Sequence, residues 1–155
     1  MLDIRQFRED IVLPALHGLQ LYTKELAELL VFTCAVESAG GTYIKQINGP
    51  AVGIFQIEPN SLTDLWVNFI VRNPSYMNLL TLNFGVHRMP MPVDLMTDLK
   101  LAAAICGLFY KRRKATPVKM DAEYLWDMYK QFYNTANGKA EHDNALKAYA
   151  KFIKA

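Results

Sequence analysis

The sequence predicts an all-α domain of six to eight helices. Apolar residues recur at spacings of three and four along most of the chain. Capping residues open these runs, and clusters of Pro, Gly and Asn close them. With 155 residues and loops too short for a second unit, one domain over residues 1–155 is expected. A chain of this length buries roughly two-thirds of its unfolded surface and needs no disulfide or metal to fold.

Residues from about Ile4 to Leu21 read as a helix interrupted at Pro14, which breaks or kinks it unless it starts a second short helix. Thr23 is an N-cap for a helix from about Lys24 to Ser38, with Glu25 in its first turn. The segment 39–59 holds too many Gly, Pro and Asn for a long element, and residues 52–57 read as a short extended piece or one helical turn. Asn60 or Ser61 opens a helix to about Val71, and Asn73-Pro74 stops it. Ser75 to Leu82 is another short helix, and Asn83 to Pro92 a loop. Asp94 or Thr97 caps a helix to about Lys114. Its basic end, Lys111 to Lys114, reads as a solvated helix terminus favoured by the dipole. Asp121 caps a helix to about Phe132, with Leu125, Met128, Tyr129 and Phe132 inward. Tyr133 to Gly138 is a turn cluster, and Asp143 to Ile153 the last helix.

Composition narrows the function classes. An apolar fraction of 52% argues for a globular chain. A net charge of +2, from 17 basic and 15 acidic side chains, is too balanced for a nucleic-acid protein. Cys34 and Cys106 sit inside apolar helical patterns and read as buried free thiols; a disulfide would need them adjacent in space. The N-terminal MLDIRQFRED lacks an apolar signal core, and no apolar run approaches the length of a membrane span. Neither an export signal nor a membrane anchor is expected.

Glu37 carries the chemical interest. Leu26, Leu30, Thr33, Cys34 and Glu37 share one face of the helix from Lys24, so the carboxylate continues the core-facing stripe at the helix end. A carboxylate there is either paired or protonated near neutral pH. The negative end of the helix dipole also disfavours its ionisation. The alternative is a Glu that turns out to solvent at a frayed end.

Other chemistries lack support. His17, His87 and His142 are far apart with no paired spacing for a metal. No nucleophile elbow and no phosphate-binding glycine loop occurs. What remains is an acid in an apolar wall, followed by a glycine-rich loop with Gln56 and, later, Tyr133-Asn134. Acids so placed, beside amides and aromatic hydroxyls, cleave glycosidic bonds.

Glu37-Ser38, then Gly53-Ile54-Phe55-Gln56 and Pro59, resemble the signature of the soluble lytic transglycosylases, E-S followed by G-L-M-Q-x-x-P. Tyr133-Asn134-Thr135 resembles that family's Y-N-A-G, with Gly138 in the trailing turn, and Ala102 to Tyr110 the helix before it. Small phage-encoded members are closer: Lys45, Gln46, Gly49, Pro50, Ala51, Glu58 and the stretch from Trp126 to Thr135 fit their pattern. The resemblance covers roughly Leu26 to Ala140. It implies a lysozyme-like α fold, with a short loop or minimal β region after the catalytic helix, and peptidoglycan as substrate. It makes Glu37 the single catalytic acid/base. Ser38 would help fix the helix end and the sugar, Gln56 would line the cleft, and Tyr133 would hydrogen-bond near the acid with Asn134 as its motif partner. Phe55, in place of the usual Met, would form a different wall beside the sugar. Thr135 and Asn137 replace small residues of the Y-N-A-G turn. No cofactor or metal is implied.

Each residue also has a plainer reading. Gln56 caps a turn, Ser38 is a helix-end hydroxyl, Tyr133-Asn134 ends a helix, Glu58 pairs with a cation or caps a backbone, and Trp66 and Trp126 are core. Two other functions remain open. A hydrolytic lysozyme on the same fold needs a second carboxylate, for which Glu58 and Asp64 are the candidates. A virion structural protein would keep the fold without the activity. The resemblance further implies location in a phage virion or the host cytoplasm, action on the periplasmic cell wall, and other virion proteins as possible partners.

Overall fold

The computed structural model describes residues 1–134 and 138–155; Thr135 and Asn137 lie outside the described residues. Among the described residues the chain is mostly helical and has no sheet. Helix α1 runs over residues 4–18, α2 over Lys24–Ser38, α3 over residues 59–70 and α4 over Pro74–Phe84. A single turn, α5, spans Asp94–Thr97, followed by α6 (Leu99–Arg112), α7 (Ala122–Phe132) and α8 (His142–Ile153).

Among the described residues two helices contain a π-helical stretch that no sequence pattern announces. In α1 it covers Phe7–Val12, and the Leu13 N–H reaches the Arg8 carbonyl five residues back. This wider turn lets the chain pass Pro14, which has no N–H to donate, without breaking the helix. The expected interruption is therefore a bulge. In α3 the stretch is Trp66–Ile70.

Caps define most boundaries. Thr23 accepts from the Leu26 N–H at 3.0 Å, and Asp121 from the Tyr124 N–H at 3.0 Å, both as anticipated. Neither Asp94 nor Thr97 caps the long basic-ended helix. Asp98 does, accepting from Leu101 N–H at 2.9 Å, and the backbone turns extended there (φ −111°, ψ 93°). Helix α3 opens one residue early, at Pro59, a residue suited to a first helical turn. Helix α4 runs on to Phe84, where Gly85 ends it in the left-handed conformation.

Helix α2 is the centre of the molecule, packed against α1, α6, α7 and α8. Leu29, Leu30, Val31, Phe32, Cys34 and Ala35 along it are fully buried. One core cluster takes residues from every helix. Its polar members are satisfied. Buried Thr33 lies 2.7 Å from the Tyr110 hydroxyl of α6 and donates to the Leu29 carbonyl. Arg8 and Tyr149 converge on Glu28 and tie α1 and α8 to α2, with the Tyr149 hydroxyl donating at 2.6 Å. Cys34 and Cys106 are both buried and unbridged, and burial pushes the Cys34 thiol up to about 12. Trp66 is core, as expected. Among the described residues no helix is long and apolar enough to cross a membrane.

The loop between α2 and α3 has only two isolated antiparallel bridges, Lys45 with Val52 and Val52 with Ile57. Val52 and Ile57 exchange both backbone hydrogen bonds at 2.9 Å, so residues 53–56 close a tight turn. Gly53 is needed there: its φ is +77°, and a Cβ would run into the Leu95 carbonyl oxygen.

Candidate active site

Glu37 stands in the last turn of α2, at the floor of a cleft of about 1030 Å³. The loop 43–58, the ends of α6 and α7, and the start of α8 form its walls. Immediately after Glu37 the backbone reverses through three left-handed residues, Ala39 (φ +51°), Gly40 (φ +67°) and Gly41 (φ +80°). A left-handed alanine costs about 1–2 kcal/mol, and Gln56, which lines the same cleft as Glu37, is also left-handed (φ +50°). Left-handed residues other than glycine recur at functional sites.

The carboxylate of Glu37 is mostly buried and makes no ion pair among the described residues. Its hydrogen-bond partner is Tyr129 of α7, whose hydroxyl donates to Oε1 at 2.6 Å. Burial raises the carboxyl to about 7, and the Tyr129 hydrogen bond holds it lower than burial alone would. Burial and the nearby Glu37 charge in turn push the Tyr129 phenol far up, so it stays protonated and remains a donor. Oε1 is occupied by Tyr129, and Oε2 is left to carry or release a proton. Glu37 is thus held by a neutral phenol rather than by a cation among the described residues, and burial brings its titration close to neutral pH.

An aromatic wall holds Tyr129 in place. Its ring packs 5.7 Å from Phe32 and 6.0 Å from Trp126. Tyr133 stacks between Tyr129 (6.0 Å) and Tyr110 (5.4 Å). The Tyr133 hydroxyl donates to the Phe55 carbonyl at 2.6 Å, which fastens the tight turn to α7. Tyr133 therefore lines the cleft, but the hydroxyl bonded to Glu37 belongs to Tyr129. That residue sits one turn earlier on the same helix face, where the helical period alone marks it as inward-facing. The spacing of four from Tyr133 was the available signal.

Two expected substrate contacts are corrected. Phe55 is fully buried and packs 6.2 Å from Phe7, so its ring cannot touch a ligand in the cleft; only its carbonyl serves the site. Ser38 is 1% exposed. Its hydroxyl donates to the Ile54 carbonyl at 2.6 Å and accepts from the Gly41 N–H at 2.9 Å. It fixes the helix end to the loop and does not reach a sugar.

The other predicted residues do line the cleft. Gln56 faces it while donating from Nε2 to the Gly53 carbonyl at 2.9 Å, so the turn-capping and cleft-lining readings both hold. Asn134 lines it as well and accepts from Lys130 Nζ at 2.9 Å. Lys130 also donates to the Gly138 carbonyl at 3.2 Å, holding that wall from α7. Of the two second carboxylates considered, Glu58 is exposed and lines the cleft. Asp64 does not line it; Asn68 and Arg112 hold it at 2.7 and 2.6 Å and keep it below the usual carboxylate range. Glu141, at the start of α8, is a further cleft carboxylate that no motif marks in the sequence. Trp126 stands edge-on to His142 at 5.6 Å, outside the cleft lining.

Among the described residues no cluster of His, Cys, Asp and Glu has the geometry to hold a metal. His142 bridges Glu123 (2.7 Å) and Asp143 (3.0 Å), and His17 stacks on Tyr22 at 4.4 Å. Comparison of the chain with protein-family models, with curated proteins and with solved structures yields no match.

Proposed function

We propose that this chain is a peptidoglycan lytic transglycosylase of lysozyme-like fold that cleaves the β-1,4 bond between N-acetylmuramic acid and N-acetylglucosamine. The observation that carries the reading is one unpaired, mostly buried carboxyl, Glu37, raised to about 7 on the floor of a large cleft and oriented by Tyr129. An acid with such a value holds its proton before cleavage and can take one back afterwards. Glu37 protonates the glycosidic oxygen, and the bond to muramic C1 breaks. The resulting carboxylate then removes the proton of the C6 hydroxyl, whose oxygen closes onto C1. The products are a free N-acetylglucosamine hydroxyl and a 1,6-anhydromuramoyl end, with no water consumed. The resemblance of the Glu37-Ser38 and Gly53–Pro59 stretches to phage-encoded members supports a phage protein acting on the cell wall.

Mass spectrometry of products from purified peptidoglycan tests the proposal. Anhydro ends are expected. Reducing ends would instead indicate a hydrolase, with Glu58 as the cleft carboxylate available to place water. Absence of cleavage would leave a structural role.

Tyr129→Phe is expected to lower kcat about tenfold, well under the loss of the acid itself. Its hydrogen bond to the ionised carboxylate is lost, so the alkaline limb of the kcat/KM profile should move upward in pH. An unmoved limb would mean that Tyr129 does not govern Glu37.

A further inference from the structure

The cleft branches. A side groove of about 320 Å³, lined by Asn60, Ser61, Asp64, Phe109, Arg112 and Arg113, shares Ser61, Phe109 and Arg113 with the main cleft. Those three residues form the junction, between the start of α3 and the end of α6. The basic end of α6 read from the sequence as a solvated terminus, and the structure divides its charges between different tasks. Arg112 is held by Asp64 at 2.6 Å, with Asn68 on the same carboxylate. Lys111 is exposed and lines neither cavity. Arg113 stands at the junction and makes no ion pair among the described residues.

We infer that the side groove receives the acidic peptide that muramic acid carries on its lactyl group, with Arg113 binding a peptide carboxylate at the branch point. The inference rests on the transglycosylase reading and names the part of the substrate that reading leaves unplaced. A bare sugar strand is unbranched and carries only a short lactyl carboxylate on each muramoyl unit, so it has nothing to fill a second arm. A peptide-bearing strand is branched at each muramoyl unit and acidic along the branch. A guanidinium presents a planar fork of donors that matches a carboxylate in two hydrogen bonds. Asp64, the one acidic residue of the arm among the described residues, is bound by Arg112 and also feels the Arg113 charge; against two guanidinium groups it leaves the arm a net positive charge. On the main cleft Glu58 and Glu141 are matched by Lys45 and Lys139, whereas the side groove carries an excess of positive charge, which favours it for the acidic branch.

The test compares soluble, uncrosslinked glycan strands bearing their peptides with the same strands stripped by an amidase. Arg113→Gln should lower kcat/KM on peptide-bearing strands about tenfold, the scale of one hydrogen bond to a charged group. On stripped strands it should change kcat/KM less than twofold. Lys111→Gln removes the same charge from the same helix end outside both cavities and should affect neither substrate. Raising the salt should shrink the parent's preference for peptide-bearing strands. Equal losses on both substrates, no loss on either, or an equal effect of Lys111→Gln would overturn the inference while leaving the transglycosylase reading standing. A parent that cuts neither substrate would overturn both.

Discussion

Glu37→Gln is expected to abolish peptidoglycan cleavage and leave the fold intact. The amide nearly matches the carboxyl in shape, and its oxygen can still accept from Tyr129, so the packing of α2 against α7 is preserved. What disappears is the proton. General acid–base catalysis is worth about a hundred- to ten-thousand-fold, and here one group performs both proton transfers, so the loss should reach the upper part of that range or exceed it. Release of soluble muropeptides measures it, with circular dichroism as the check on folding. A variant within a few-fold of the parent would remove Glu37 from the mechanism. The comparison with Tyr129→Phe is the sharper part. If the tyrosine variant loses as much as the glutamine variant, the phenol transfers a proton and does not merely orient the acid.

Much of the scaffold was legible because local physics decides it. The stripe Leu26, Leu30, Thr33, Cys34, Glu37 needs only the helical period, and it is buried as that period requires. Thr23 and Asp121 cap because a short polar side chain before an apolar run has little else to do. Asp98 is not singled out by sequence because Asp94 and Thr97 compete with it within about one turn, and the backbone dihedrals choose among them. The π-helical stretches left no composition signal, although the one in α1 answers to Pro14.

The site was legible only in part, for a related reason. Motif position tells which residues gather near the acid but not which way each side chain turns. Ser38 and Phe55 occupy expected places and point inward, where one ties the loop with its hydroxyl and the other fills the core against Phe7. Tyr129 and Tyr133 lie on one helix face, yet one hydroxyl meets Glu37 and the other meets the Phe55 carbonyl. Which partner each finds is a tertiary property. Arg113 was hidden in a run of four cations whose separate surroundings only the fold distinguishes.

Stability should depend on pH through Glu37, and the sign follows from its raised value. The unfolded carboxyl titrates near 4.5, the folded one near 7. Below about 4.5 both states hold the proton, and the parent keeps the full benefit of a neutral buried carboxyl. As pH rises from there, the unfolded state ionises freely while the folded state resists, so the parent loses stability up to the folded value and levels off above it. Glu37→Gln has no proton to lose. Relative to the parent it should therefore gain stability between about pH 4.5 and just above pH 7, by about 3 kcal/mol in total. For a domain of this size that corresponds to a divergence in Tm of about 6–12 °C. The amide's own packing adds a constant offset, which the comparison across pH removes. Thermal melts of both proteins at half-unit steps from pH 4 to 8 measure the difference. Parallel curves would show a solvated carboxylate at the end of α2, and the buried-acid mechanism would then fail whatever the peptidoglycan assay returned.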